Sequence, residues 1–328
     1  MSGPSASGPV AIRRGRDVLL VDGPDAGVYL QGQLSQDVEA LTDGGSAYTF
    51  LLQPAGKVAA WLRITRVSDE QFVLDVDVGW GALVADGLRR FLLRTACRIE
   101  PLEWDLVTVI DVGDVAAPTG GFKTAVEWPG LGAIDLLGPS VESPAGVASA
   151  DTGLWEVRRI AAGIPAMGAE IDEKTIPAAT GVVERSVSFT KGCYTGQELM
   201  ARIDSRSAGP PTRLVRVEGS GAPVPETGAV IRVEDAECGR LTSVAATDTG
   251  FVPWPTSAVE PTYRWKLRSS GQTARPLPVS YPTEGTETTS VAAPPRAPSP
   301  RSRPGGRGGP PAGGRGRRGR RCSRHPRR

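Results

Sequence analysis

The sequence holds a single histidine, His325, in a closing stretch of Arg, Gly and Pro. An imidazole there has no packed scaffold to orient it. This excludes Ser-His-Asp and Cys-His catalysis, a His-ligated zinc site and an HExxH protease. Cysteine is nearly as scarce. Cys97, Cys193, Cys238 and Cys322 show neither CxxC spacing nor the density of a disulfide scaffold, so reduced thiols are expected. No apolar run approaches the roughly 18 residues that cross a bilayer, and Met1 to Pro9 lacks the basic start and apolar stretch of a secretory leader. A cytoplasmic location with no membrane partner is the expectation. Acidic residues vanish at one end: residues 301–328 hold eleven arginines and no Asp or Glu, so a net charge of +2 leaves −9 for residues 1–300. An acidic body lacks the cationic footprint of a dedicated nucleic-acid-binding domain, and nucleic acid is not expected as a partner except through that tail.

A chain of 328 residues, 39% hydrophobic, can bury one large core or two to three smaller ones. Val18 to Val21 reads as a short apolar run, Asp22-Gly23-Pro24-Asp25 as a turn with an N-cap candidate, and Leu30, Leu34 and Val38 as one face of a helix. Tyr48 to Leu52, Val58 to Val67, Phe72 to Val78, Cys97 to Glu100 and Leu106 to Asp111 read as strands, with helical spacing across Trp80 to Leu93. Residues 113–153 look loop-heavy, and Trp155 to Ala162 reads as a helix ended by Gly163-Ile164-Pro165. Short β-rich runs from Leu214 to Ala245 suggest a small terminal barrel. Pro253 and Pro255 fall where its closing strand would be convenient, so it is expected to be incomplete or altered. Beyond about residue 281 few side chains could offset the entropy of ordering, and the tail is expected to be disordered. The fold class is α+β, divided into residues 10–205, a β-barrel over 206–280 and a tail over 281–328.

One segment carries chemistry: Phe189-Thr190-Lys191-Gly192-Cys193-Tyr194-Thr195-Gly196-Gln197-Glu198. Two glycines bracket the cysteine, and a helical pattern begins near Gln197, which places Cys193 on a tight turn. Lys191 and an approaching helix N-terminus both favour the thiolate, the form that attacks electrophiles and binds metals. The competing reading is a small buried hydrophobe. So many glycines and polar groups argue against an ordinary core position. Tyr194 and Gln197 are further candidates, with packing or turn capping as their plainer roles.

The segment KGCYTGQE resembles the signature of the YgfZ family, which includes the mitochondrial iron–sulfur assembly factors. Tyr29 to Val38 is similar to that family's first helix, Arg159 to Ile171 with Pro177 to its Arg, Gly-Ile-Pro and Glu-Ile segment, and Gly239 to Ser243 to the start of its last barrel hairpin. The likeness spans about residues 10–250. It implies an aminomethyltransferase-like ring of domains around a central folate pocket, with tetrahydrofolate or a derivative as cofactor. It also implies a role in maintaining iron–sulfur enzymes, including those that thiolate tRNA. Carried over by position, Cys193 is the essential thiol and candidate transient cluster ligand, Lys191 its neighbour in the motif, and Arg159 a candidate for the folate pocket, with Tyr194 and Gln197 beside it. One thiolate cannot hold a cluster, so an iron–sulfur carrier or client protein is the expected partner. Two departures stand out. Ala179 occupies a place where relatives commonly carry Glu, and Phe251 to Trp265 does not match the family's apolar strand.

Two other functions compete. A folate-dependent aminomethyl or methyl transferase shares the implied fold. Where those enzymes follow a Gly-Gly pair by two apolar residues and two aspartates, however, this chain has Gly56-Lys57-Val58-Ala59-Ala60-Trp61-Leu62. Losing such a carboxylate costs about a hundredfold or more, so an accessory role is expected over a classical enzyme. The second is RNA binding through the Arg and Gly-rich tail, by phosphate attraction and stacking.

Overall fold

The computed structural model describes residues 8–200, 212–215, 217–219, 224–233, 236–247, 250–257, 265–267 and 273–276. Met1–Ser280 form one unit. The expected disordered tail, with His325 and Cys322, lies outside the described residues.

Two five-stranded sheets face each other across the main core. The first has the order β10-β1-β7-β9-β8, from β1 (Val10–Arg14), β7 (Asp105–Ile110), β8 (Phe122–Trp128), β9 (Leu131–Gly138) and β10 (Ala148–Ala150). The second has the order β3-β4-β5-β2-β6, from β2 (Asp17–Asp22), β3 (Ser46–Leu52), β4 (Val58–Arg66), β5 (Gln71–Val76) and β6 (Arg98–Leu102). Helices α1 (Ala26–Gln33) and α2 (Gly81–Arg89) pack on the second sheet. Ile12, Ile110 and Trp128 of the first sheet share one buried cluster with Phe50, Trp61, Leu62 and Leu74 of the second. Each such side chain contributes roughly 1.5–3 kcal/mol by leaving water.

Several sequence expectations change here. Residues 113–153, read as loop-heavy, also hold a β-hairpin and the short strand β10. Phe122 to Trp128 alternates, with Thr124, Val126 and Trp128 buried and Lys123, Ala125 and Glu127 exposed, and the two-residue link Pro129-Gly130 turns it back into β9. Gly130 takes the positive φ, 75°, that such a turn requires. Asp25 stands at the N-cap of α1, but its carboxylate accepts from the Ala96 N–H instead of the helix. Asp75 of β5 is fully buried, paired with Arg63.

Helix α3 (Thr152–Ala162), capped by the Asp151 carboxylate on the Leu154 N–H, lies against both the first sheet and a third one. That third sheet comprises β11 (Arg213–Leu214), β12 (Val217–Gly219), β13 (Val230–Val233), β14 (Ala236–Thr247), β15 (Gly250–Ser257), β16 (Trp265–Leu267) and β17 (Thr273–Pro276). Its pairings run β15-β12-β17-β16-β13-β14 and return from β14 to β15, so the strands close a circuit. Pro253 and Pro255 sit within β15, opposite Val244 and Leu241, in the pairing that closes this circuit.

Candidate functional site

The cysteine motif follows a short helix α4 (Val183–Ser186) and opens into helical residues 197–200. Its loop is held from behind. The Ser188 N–H donates to Ser35 O at 3.0 Å and the Thr195 N–H to Gly32 O at 3.1 Å. The Lys191 ammonium donates to three carbonyls beyond and within the last turn of α1: Gln31 O at 2.6 Å, Leu34 O at 2.8 Å and Gln36 O at 2.8 Å. Carbonyls at a helix C-terminus lack intrahelical donors and carry partial negative charge, so a cation is the natural group to meet them. Burial lowers the pKa of Lys191 to about 8, with Asp37 and Glu39 pulling it up.

Two glycines let this loop touch the turn between β3 and β4. Gly196 (φ 79°) and Gly56 (φ 83°) both need the left-handed region. A Cβ on Gly196 would stand 2.6 Å from Gln53 O and 2.7 Å from Leu52 Cβ. In front, Thr190, Gly192 and Cys193 are exposed and Phe189 is 50% exposed. The buried-cysteine alternative therefore falls. Among the described residues the Cys193 thiol has no hydrogen-bond or ionic partner, and Lys191 spends its three donors on α1 and the residues after it, away from the thiol. Gln197 caps the turn, its side-chain oxygen accepting from the Tyr194 N–H at 3.1 Å. The Tyr194 ring lies 5.1 Å from the Lys191 ammonium, and burial pushes its hydroxyl up to about 12.

Arg159 stands elsewhere, in the wall of a central cavity of about 70 Å³. Arg14, Arg16, Tyr48, Trp61, Arg63, Asp77, Asp135, Trp155 and Glu156 complete much of the wall. Sequence reasoning singled out only Arg159 and Trp61 among these. The missed signal was arginine and aspartate recurring inside otherwise apolar strands. Arg63 binds Asp75 at 2.9 Å and Asp135 at 2.8 Å, while Arg14 reaches Asp135 at 3.1 Å and lies 3.8 Å over the Trp155 ring. Arg16 binds Asp75 at 2.9 Å and also pairs with Asp77. Desolvation pushes the Asp135 carboxyl up, but Arg14, Arg63 and Thr108 hold it at about 2. Arg159 is bidentate to Glu156, through Nε at 2.8 Å and Nη2 at 2.6 Å, meets Glu170 at 3.1 Å, and donates to Ser243 of β14 at 3.0 Å. Trp61 stacks on Tyr48 with centroids 4.7 Å apart and donates its indole N–H to Ser186 at 2.9 Å.

The residue types in this wall suit a folate: guanidinium groups for its carboxylates, carboxylates for the pterin N–H groups, indoles for stacking. The cavity as it stands has room for only a few waters, whereas small-molecule sites usually offer about 300 Å³ or more. Glu156 is the half-open part of the wall, its side chain 46% exposed against 5% for Arg159. Among the described residues, no group of three or more His, Cys, Asp or Glu side chains could hold a metal ion, and no helix is long and apolar enough to cross a membrane.

The two facing sheets, the α3 bridge and the closed third sheet define a protein with the aminomethyltransferase fold. The glycine cleavage system aminomethyltransferase T from Bartonella henselae superposes with a TM-score of 0.71 over 82% of this chain and 85% of its own, at 18% identity. Set beside the cysteine motif, the sequence relatives narrow the class further and support a YgfZ-family protein. It is 27% identical over 248 residues to the tRNA-modifying protein YgfZ of Klebsiella pneumoniae, covering 68% of this chain and 75% of that one. It is 28% identical over 211 residues to the mitochondrial iron–sulfur cluster assembly factor IBA57 homolog of Pyricularia oryzae, covering 59% and 53%. An uncharacterized protein of Haemophilus influenzae is 34% identical over 191 residues, 57% of this chain and 66% of that one. No protein-family model matches the chain.

Proposed function

We propose that this protein is a cytoplasmic accessory factor for iron–sulfur cluster assembly or repair, serving cluster-dependent enzymes that include tRNA-modifying ones, and that Cys193 is the residue that meets its cargo. The observation that carries this reading is an exposed thiol, unpartnered among the described residues, on a loop braced from behind. Such a thiol is open to a visiting partner. Ligating iron, it loses its proton to solvent and supplies one of the usual four ligands, so a carrier protein must bring the others. The relatives named for cluster assembly and for tRNA modification support the same role.

A transferase reading is disfavoured by Trp61. Its indole fills the cavity wall in the stretch where the aminomethyltransferases carry their aspartates, and it cannot position or protonate a folate nitrogen. Folate enters the proposal as a bound ligand, and when bound it would supply one-carbon chemistry. Arg14, Arg16 and Arg159 would take its carboxylates, and Glu156 would swing outward to admit it, leaving Arg159 held by Glu170 and Ser243.

The test compares wild type with Cys193→Ala in a host lacking its own homologue, following cluster-dependent enzyme activities and thiolated tRNA. Restoration by wild type alone is the expected result. Equal rescue by the alanine variant would remove Cys193 from the function and turn attention to the cavity.

A further inference from the structure

We infer that Lys191 is a positioning residue: its ammonium clasps the C-terminal end of α1 and so fixes the loop that presents Cys193, instead of acting on the thiol. The inference builds on the reading of Cys193 above, although its test does not depend on it. Three observations carry it.

The first is the geometry of the clasp. A lysine ammonium has three donors, and here each has a carbonyl acceptor within 2.6–2.8 Å, from Gln31, Leu34 and Gln36. No donor is left over for a neighbour. Charged hydrogen bonds of this length are the strong kind. The second is that the clasp is one of several ties on the same side. Thr195 N–H on Gly32 O, Thr195 Oγ1 on Gln33 Oε1 at 3.3 Å, and Ser188 N–H on Ser35 O bind the loop on both sides of Lys191 to the same stretch of chain. Third, Lys191 has no ion pair within the described residues. Asp37 and Glu39 act on it only at longer range, and the Tyr194 ring covers it at 5.1 Å. A half-buried ammonium without a carboxylate is costly unless carbonyls satisfy it. Its placement therefore makes sense as a strut.

A strut and an activator make opposite predictions for Lys191→Met, which keeps the length and apolar stem but removes the donors. Hydrogen exchange and iodoacetamide alkylation of the full chain separate them. The strut requires the Thr195 amide to exchange about tenfold faster or more, while alkylation of Cys193 is not slowed. Unchanged exchange at Thr195 together with alkylation slowed about tenfold would overturn the inference and make Lys191 an activator of the thiol. Lys191→Arg is the second variant, for use even where the methionine protein folds poorly. It keeps the charge but replaces a compact three-donor head with a planar fork that cannot reach three convergent carbonyls equally. Lost protection at Thr195 is expected there too, and full protection would mean that charge alone suffices, contrary to the inference. Both readouts stand apart from client rescue. If Cys193→Ala rescues fully while Lys191→Met strips the loop of protection, the strut stands and the proposed use of Cys193 falls.

Discussion

Removing the Asp135 carboxylate tests the reading of the central ion network most directly. Asp135 lies on β9 of the first sheet and binds Arg63 on β4 of the second, so the pair ties the sheets across their core. It is 1% exposed and also takes Arg14 and the Thr108 hydroxyl. Replacing it with Asn leaves two guanidinium groups without that charge, and breaking a buried pair in this way costs about 3–5 kcal/mol at neutral pH. The pH dependence follows from the same contacts. A carboxyl held near 2 when folded, against 3.8 ordinarily, stabilises the fold by about 2 kcal/mol above the ordinary value. That stabilisation fades as pH falls through the interval, and about half is gone by pH 3. Urea unfolding of wild type and Asp135→Asn at pH 7, 5 and 3 therefore has a specific expectation: a gap that is constant from 7 to 5 and about 1 kcal/mol narrower at pH 3. Other titrating carboxyls are common to both proteins and cancel in the difference. A gap below about 1 kcal/mol at pH 7, or one that does not narrow at pH 3, would refute the assignment of Asp135 as an ionised keystone of the core.

Two further outcomes are expected from the site. Gly196→Ala should destabilise the protein by about 1–3 kcal/mol, because its Cβ meets Gln53 O and Leu52 Cβ and its backbone requires positive φ. Gly192→Ala, with nothing within 4 Å, should change stability by no more than about 0.5 kcal/mol; thermal melts of the two side by side check this. Glu156→Ala should bind folinate about fivefold more tightly, since a half-exposed pair worth about 1 kcal/mol no longer closes the cavity. Quenching of Trp61 and Trp155 fluorescence reads the affinity, and weaker binding would show Glu156 to contact the ligand instead.

Much of this was legible in the sequence where local pattern and burial agree. The strands β3, β4 and β7 follow from β-branched and apolar runs between turns, and the turn carrying Cys193 follows from Gly192, Gly196 and the helical onset at Gln197. The pattern failed where tertiary context decided. Alternating Phe122 to Trp128 was hidden inside a Gly- and Pro-rich region, although Pro129-Gly130 marked the hairpin. Pro253 and Pro255 argued against a strand that pairing with β14 supports. In the ion network, Arg14 pairs with Asp135 121 residues away and Arg16 with Asp75 59 residues away, and nothing local says that strands so distant will neutralise one another. The role of Lys191 escaped for the same reason: sequence places it two residues from a cysteine, whereas its partners are some 155 to 160 residues away.

The acceptors of Lys191 are all main-chain atoms. A contact between a side chain and a backbone is specified from one side only: a substitution at 31, 34 or 36 that preserves the helix end and its following turn leaves the carbonyls in place, whereas any change at 191 removes the donor. The information that sets the Lys191 clasp is thus concentrated in the motif, while Gln33 of the helix adds one side-chain tie of its own, to the Thr195 hydroxyl. An engineer who keeps Gln33 could change the exposed side chains of α1 without disturbing the clasp, and that freedom would vanish had the anchor been a carboxylate on the helix.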